Sequence, residues 1–218
     1  MCGRYTLSLN DGRWVAERFE VRSPQAVVPE VLNRFNVCPS EQVLAVDFER
    51  HALGLRWGIE MPGKRSPAPI NARAESAGTR PLFAPLIARA EGRCLIPADG
   101  WYEWMRAERR RVRPAPCRYT VDGGELFAFA GLRTRDSVVV LTTEPNELCA
   151  RVHDRMPCVL DGAAAEAAWL DPDLEPSAVP ELLAPLPADR VTAAPASPEV
   201  NRAGREGPGL LEPEPTLF

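Results

Sequence analysis

CRYTVDGGELFAFAGLRTRDSVVVLTT (117–143) decides the fold class. The runs CRYTV, LFAFAGL and SVVVLTT are short and rich in aromatic and β-branched residues, the composition of strands in a half-buried sheet. Gly123-Gly124 supplies the positive-φ turn that joins the first two as a hairpin. Working outward, RCLIPADGWYEW (93–104) predicts another strand, and QVLAVDF (42–48) and HALGLRWGI (51–59) predict two more. Pro62, Gly63, Pro67 and Pro69 make residues 61–70 a loop. Helices are predicted at 13–20, at 82–91 with Pro85 in its first turn, and at 163–170. Residues 172–198 read as a Pro/Ala-rich connection. So many short strands need covered edges, which predicts an α+β chain of mainly antiparallel strands curled into a barrel-like sheet with a few flanking helices. Its 218 residues suffice for one domain, 1–218.

With 45% hydrophobic and 26% charged residues the composition is that of an ordinary soluble protein. No apolar run reaches signal-peptide or membrane-span length, so the expected location is cytoplasmic, without membrane contact. The net charge of −4 is unevenly spread: residues 161–218 hold 11 acids and 3 bases, whereas residues 1–160 carry a surplus of bases. Those bases are arginines except for Lys64, and arginine suits bidentate phosphate recognition, although codon usage accounts for such a bias equally well. The six cysteines, at 2, 38, 94, 117, 149 and 158, show no C-x-x-C spacing, and the only histidines are His51 and His153. No metal site and no cofactor are expected from that set, and a monomer is the default.

Cys2 stands apart because of its position. Removal of Met1 would give it a free amine and a thiol on adjacent carbons. Such a 1,2-aminothiol condenses with an aldehyde to an imine, which the sulfur then closes to a thiazolidine. About a tenth of an α-amine of ordinary pKa is unprotonated at neutral pH. The plain alternative is an incidental cysteine in a frayed terminus.

Three further places carry polar groups suited to that chemistry. In PINARAE (69–75), Asn71 can orient the terminal amine and Arg73 can hold a phosphate, or the pair is an Asx-turn and a solvated arginine. In GWYEW (100–104), alternation puts Trp101 and Glu103 on one face and Tyr102 and Trp104 on the other. Enclosed there, Glu103 becomes a general acid near neutral pH; left at a strand end, it is simply solvated. His153, in VHDRMP (152–157), is the candidate imidazole, since His51 follows a turn and reads as surface.

Taken together, MCGRYTL, FNVCPS (35–40), WGI (57–59), PINARAES (69–76), RCLIPADGWYEW, LTT (141–143), HDRMP (153–157) and VN (200–201) resemble the SRAP (SOS response-associated peptidase) family of abasic-site-shielding proteins. The blocks occur in order over almost the whole chain. The resemblance implies that Cys2 forms a thiazolidine with the ring-opened sugar of an abasic site in single-stranded DNA, and it implies association with the nucleoid when DNA is bound. It implies that Asn71 contacts the cysteine amine, that Glu103 assists ring opening and proton transfer, and that His153 shuttles protons. It assigns DNA contacts to Arg4, Arg73, Arg155 and Thr142. The chain departs from the family after WGI, where Met61-Pro62-Gly63-Lys64-Arg65 replaces wedge tryptophans; Lys64 and Arg65 offer phosphate contacts instead. RAERRRVR (106–113) reads as a hairpin loop whose charges are either solvated or turned to DNA. The competing functions are an N-terminal-nucleophile amidotransferase, a cysteine peptidase built on Cys2, His153 and Glu103, and a non-covalent binder of single-stranded DNA.

Overall fold

Asp47 shows how local chemistry starts the barrel. Its carboxylate accepts the backbone N–H groups of Glu49 and His51, closing the turn between β3 (Gln42–Val46) and β4 (Ala52–Trp57). The two strands then pair antiparallel from Gln42↔Arg56 to Val46↔Ala52. The computed structural model describes residues 2–23, 29–61, 63, 67–105 and 115–212. Lys64, Arg65 and the RAERRRVR run lie outside the described residues, as does Met1.

β6 (Arg93–Ala98) pairs with β3 and, over six residue pairs, with β9 (Phe127–Arg133). β9 turns into β10 (Ser137–Thr143), where Thr134 Oγ1 accepts the Ser137 N–H. β10 then pairs in parallel with β4, at Ser137↔Arg56 and Val138↔Trp57, and the ring β10-β4-β3-β6-β9 closes. Closure removes the exposed edges that five short strands would otherwise present. The barrel-like sheet and mainly antiparallel pairing expected from the sequence are thus present; the parallel pairs on β10 are an addition to that expectation.

β1 (Tyr5–Leu7), β2 (Arg34–Val37), β7 (Gly100–Trp104), β8 (Pro116–Val121) and β12 (Val191–Pro195) form a second, antiparallel sheet in the order β12-β8-β7-β1-β2. RCLIPADGWYEW, read as one strand, is therefore two strands in two sheets, joined at Asp99. This buried carboxylate accepts from the Thr6 hydroxyl, from the Ser8 N–H and hydroxyl at 2.6 Å each, and from Arg118 at 3.3 Å. Gly100 is required beside it: a Cβ there would lie 2.8 Å from the Tyr119 carbonyl oxygen. β12 falls in the segment read as connection; it pairs with β8 over five residues, mostly exposed, so its sequence carries little apolar signal.

The main core runs between barrel and sheet. Tyr5 meets Trp57 and Phe129 edge-on, with centroids 5.4 and 5.8 Å apart, and Trp101 stacks on Tyr119 at 5.2 Å. Tyr102 points the other way into a small cluster with Phe35, Val200 and Leu210, against which Trp104 packs, so the alternation along β7 holds. Among the described residues the α-helices are α1 (Gly12–Arg18), α2 (Ala74–Ala77), α3 (Ala84–Ile87), α4 (Gly162–Leu170) and α5 (Val179–Leu182). Asp11 caps α1 by accepting the Arg13 N–H, and Arg18 joins α1 to α4 through a two-pronged pair with buried Glu166, at 2.7 and 2.9 Å. The helix expected at 82–91 is a single turn, with Pro85 in it as anticipated, followed by a 3-10 turn at Ala90–Gly92. Among the described residues, no helix is long and apolar enough to cross a membrane.

Candidate functional site

Strand pairing carries the chain start to Glu103. β1 runs antiparallel to β7 with Tyr5 opposite Trp101, and the Tyr102 N–H donates to the Arg4 carbonyl at 3.0 Å. Continued, that register sets Gly3 opposite Glu103 and brings Cys2 to the same end. Cys2 is completely buried. Burial and, next, the charge of Glu103 hold its thiol well above the usual thiol range.

β10 brings up the other half of the site. Its edge is shared by β4 and then β5 (Asn71–Arg73), paired in parallel from Val140↔Asn71 to Thr142↔Arg73; its opposite edge passes from β9 to β11 (Met156–Pro157). Trp57 Nε1 donates to the Ile70 carbonyl at 2.9 Å, and Gly58, at φ +126°, lets the WGI segment turn against Ala68 and Ile70. Thus two of the quoted blocks, WGI and PINARAES, meet. From β5, Asn71 Nδ2 donates to the Cys2 carbonyl at 2.8 Å, while Asn71 Oδ1 is buried without a partner among the described residues.

Glu103 is 5% exposed. Burial raises its carboxyl to about 7; the positive amino terminus of the chain pulls the other way, and Asp154 adds a further upward push. Cys117, directly opposite Glu103 on β8, and Cys149 line the same neighbourhood, and Glu103 also contributes to the raised thiol pKa of Cys149. Cys2, Asn71 and Glu103 therefore converge from the segment leading into β1 and from strands β5 and β7.

His153 stands in the short loop before β11, next to Asp154, whose charge reaches Glu103. Its N–H donates to the Cys149 carbonyl at 3.0 Å, its Nδ1 accepts from the Arg155 N–H at 3.0 Å, and the same Nδ1 lies 3.0 Å from Asp154 Oδ1. The Arg155 guanidinium grips Glu75 of α2 at 2.7 and 2.8 Å and the Thr142 carbonyl at 2.5 Å. This pairing pulls the Glu75 carboxyl below the usual range. Thr142 is buried, with its hydroxyl 3.4 Å from the Ala72 carbonyl. Arg4 donates to Asn36 Oδ1 at 2.8 Å and to the Val200 carbonyl at 2.5 Å, tying together three of the quoted blocks. Arg73 is exposed and makes no ion pair among the described residues. Sequence reasoning missed Glu75, Asp154 and Cys149; the first two lie inside quoted blocks, but a pairing 80 residues apart leaves no local mark.

Beside Asn71, a cleft of about 780 Å³ opens between Pro39, Ser40, Met61 and Pro67–Ile70. Met61 and Ile70 are apolar side chains in its lining. Away from these residues, Asp47, Glu49 and His51 bring potential ligand atoms within 4.8 Å of one another, but Asp47 Oδ1 already accepts two N–H groups of its turn.

The chain is similar to known proteins over nearly its full length. It is 35% identical over 232 residues to the abasic site processing protein YoqW of Bacillus subtilis (strain 168), covering 97% of this chain and 99% of the relative. It is 29% identical to the abasic site processing protein YedK of Escherichia coli (strain K12), covering 98% and 100%. A crystal structure of a Bacteroides thetaiotaomicron protein superimposes with a TM-score of 0.82 over 97% of this chain and 99% of the other; at 21% identity it speaks for the fold alone. A second, from Bordetella bronchiseptica, gives a TM-score of 0.71 at 26% identity over 90% of this chain and all of the other. The sequence profile of the SOS response associated peptidase (SRAP) family matches residues 1–203, and this chain belongs to that family.

Proposed function

We propose that this protein processes abasic sites in single-stranded DNA by capturing the sugar aldehyde covalently on Cys2. The observation that carries the reading is the grip of Asn71 on the Cys2 carbonyl, 2.8 Å long, beside a buried glutamate that titrates near neutral pH. Asn71 Oδ1 supplies the acceptor a terminal amine needs, and its lack of a partner among the described residues supports that assignment. The names of the curated relatives support the substrate.

The chemistry follows from the groups present. An abasic sugar is mostly a closed hemiacetal; a protonated Glu103 gives its ring oxygen a proton, and as the C–O bond breaks the anomeric hydroxyl returns one to Glu103 and leaves the aldehyde. The Cys2 amine adds to the carbonyl carbon; the hydroxyl leaves as water with a proton from Glu103 or His153. The sulfur then adds to the imine carbon while its own proton passes to the nitrogen. One water is lost overall, and no oxidant or metal is consumed. Amine and thiol on one residue face the same carbon, so ring closure is intramolecular. A peptidase would need a thiolate, and the surroundings of Cys2 push its thiol in the opposite direction.

Release of Met1 frees the amine of Cys2 in this reading. Arg73 holds a phosphate directly. Arg4 does so from its seat on Asn36 and Val200, and Arg155 by exchanging Glu75 for a phosphate; Thr142 steadies β5 and Arg155 beneath them. The test is to mix the mature protein with uracil-excised single-stranded oligonucleotide and follow it by denaturing electrophoresis and intact mass. The expected product is protein plus DNA minus one water, absent with Cys2→Ala. Equal adduct from Cys2→Ala would overturn the mechanism.

A further inference from the structure

We propose that Asp154 is a positioning residue that sets which ring nitrogen of His153 carries a proton, and thereby lets His153 both take and give protons. This rests on the crosslinking function proposed above. Two groups compete for one nitrogen. The Arg155 backbone N–H, 3.0 Å from His153 Nδ1, can only donate, so it demands a bare Nδ1 and leaves the ring proton on Nε2. Asp154 Oδ1, also 3.0 Å from Nδ1, can only accept while ionised, so it demands Nδ1–H. Nδ1 cannot satisfy both at once.

The consequences for Nε2 are opposite. With the backbone bond made, a neutral ring holds its proton on Nε2 and cannot accept another there. With Asp154 engaged, Nδ1 keeps its proton and Nε2 cycles between lone pair and N–H, which is what a shuttle requires. The aspartate of a serine protease orients its histidine by the same logic. The other groups around the ring fit this division. Glu103 of β7 is near enough to Asp154 to feel its charge, the Arg155 guanidinium is held by Glu75 of α2, and the His153 N–H is fixed on the Cys149 carbonyl. The Asp154 side chain is 70% exposed, free to make and release the contact without disturbing the core.

The test is nitrogen NMR of the imidazoles, which distinguishes protonated from bare ring nitrogens. The chain has only two histidines, so a His51→Ala background leaves one ring to assign. In that background, neutral His153 is expected to carry its proton on Nδ1, and Asp154→Ala to move it to Nε2. Crosslinking should slow about fivefold, the ceiling for an exposed ion pair, with DNA affinity unchanged. Asp154→Asn, which keeps an acceptor oxygen, should retain Nδ1–H in part. A bare Nδ1 in the neutral ring with Asp154 intact, or a tautomer indifferent to Asp154→Ala, would overturn the assignment. Nδ1–H in a protein that never crosslinks abasic DNA would uphold the role of Asp154 in the ring and overturn the crosslinking function instead.

Discussion

Replacing Glu103 with glutamine separates what this residue does for chemistry from what it costs the fold. Burial moves its carboxyl from an ordinary 4.5 to about 7, at roughly 1.4 kcal/mol per pH unit. Because the folded-state pKa is the higher one, the folded protein binds the proton more tightly than the unfolded chain does. Relative stability is therefore full below about pH 4.5, declines as pH rises through about 7, where the buried carboxylate is half ionised, and levels off above that. At pH 8 the penalty is on the order of 3 kcal/mol, and Glu103→Gln should recover most of it while changing little at pH 4. For a chain of this size that is a rise in Tm of about 6–12 °C at pH 8. Thermal melts of both proteins from pH 4 to 9 measure it, and parallel curves would refute the burial argument. The same variant should crosslink ~10²–10⁴-fold more slowly, since glutamine has no proton to give, with DNA binding intact.

Two other substitutions probe the frame and the substrate surface. Arg18→Ala strands Glu166, whose side chain is 2% exposed, without its partner in α1; a loss of about 3 kcal/mol in denaturant unfolding is expected, and a loss under 1 would mean Glu166 finds another donor. Arg73→Ala should weaken single-stranded DNA binding evenly across sequences and flatten the dependence of log K on log salt by about 0.7, as for one phosphate contact; an unchanged slope would remove Arg73 from the interface.

The barrel was legible because 117–143 alternates strand and turn so plainly, and because β3 and β4 are joined by a turn that their own residues build. The short extent of the helix expected at 82–91 and strand β12 were not, since the limits of a single helical turn and an edge strand of Val, Thr, Ala and Pro carry little periodic signal. The break at Asp99 was hidden for a different reason. Pro97 and Asp99-Gly100 mark a bend in RCLIPADGWYEW but not a change of sheet; the junction is held by Thr6, Ser8 and Arg118, which are distant in sequence. At the site, Cys2, Asn71 and Glu103 could be named from residue chemistry and family resemblance, but their convergence depends on the shared β10 edge and the β1–β7 register. The Arg155–Glu75 pair, likewise, is a product of topology and not of spacing.

Asp99 also gives the site an unusual mechanical character. Glu103 belongs to one sheet and Asn71 to the strands around the barrel, so their separation is set by the angle at which the two sheets are fixed to one another. The strand that passes from barrel to sheet is clamped at that single carboxylate. The site therefore behaves like the jaws of a tool whose pivot lies elsewhere, with a bend of a few degrees at Asp99 arriving as a shift between acid and amide. A substitution at Thr6, Ser8 or Arg118 is thus expected to act as an adjustment screw, changing how closely the jaws meet while leaving every residue in them the same.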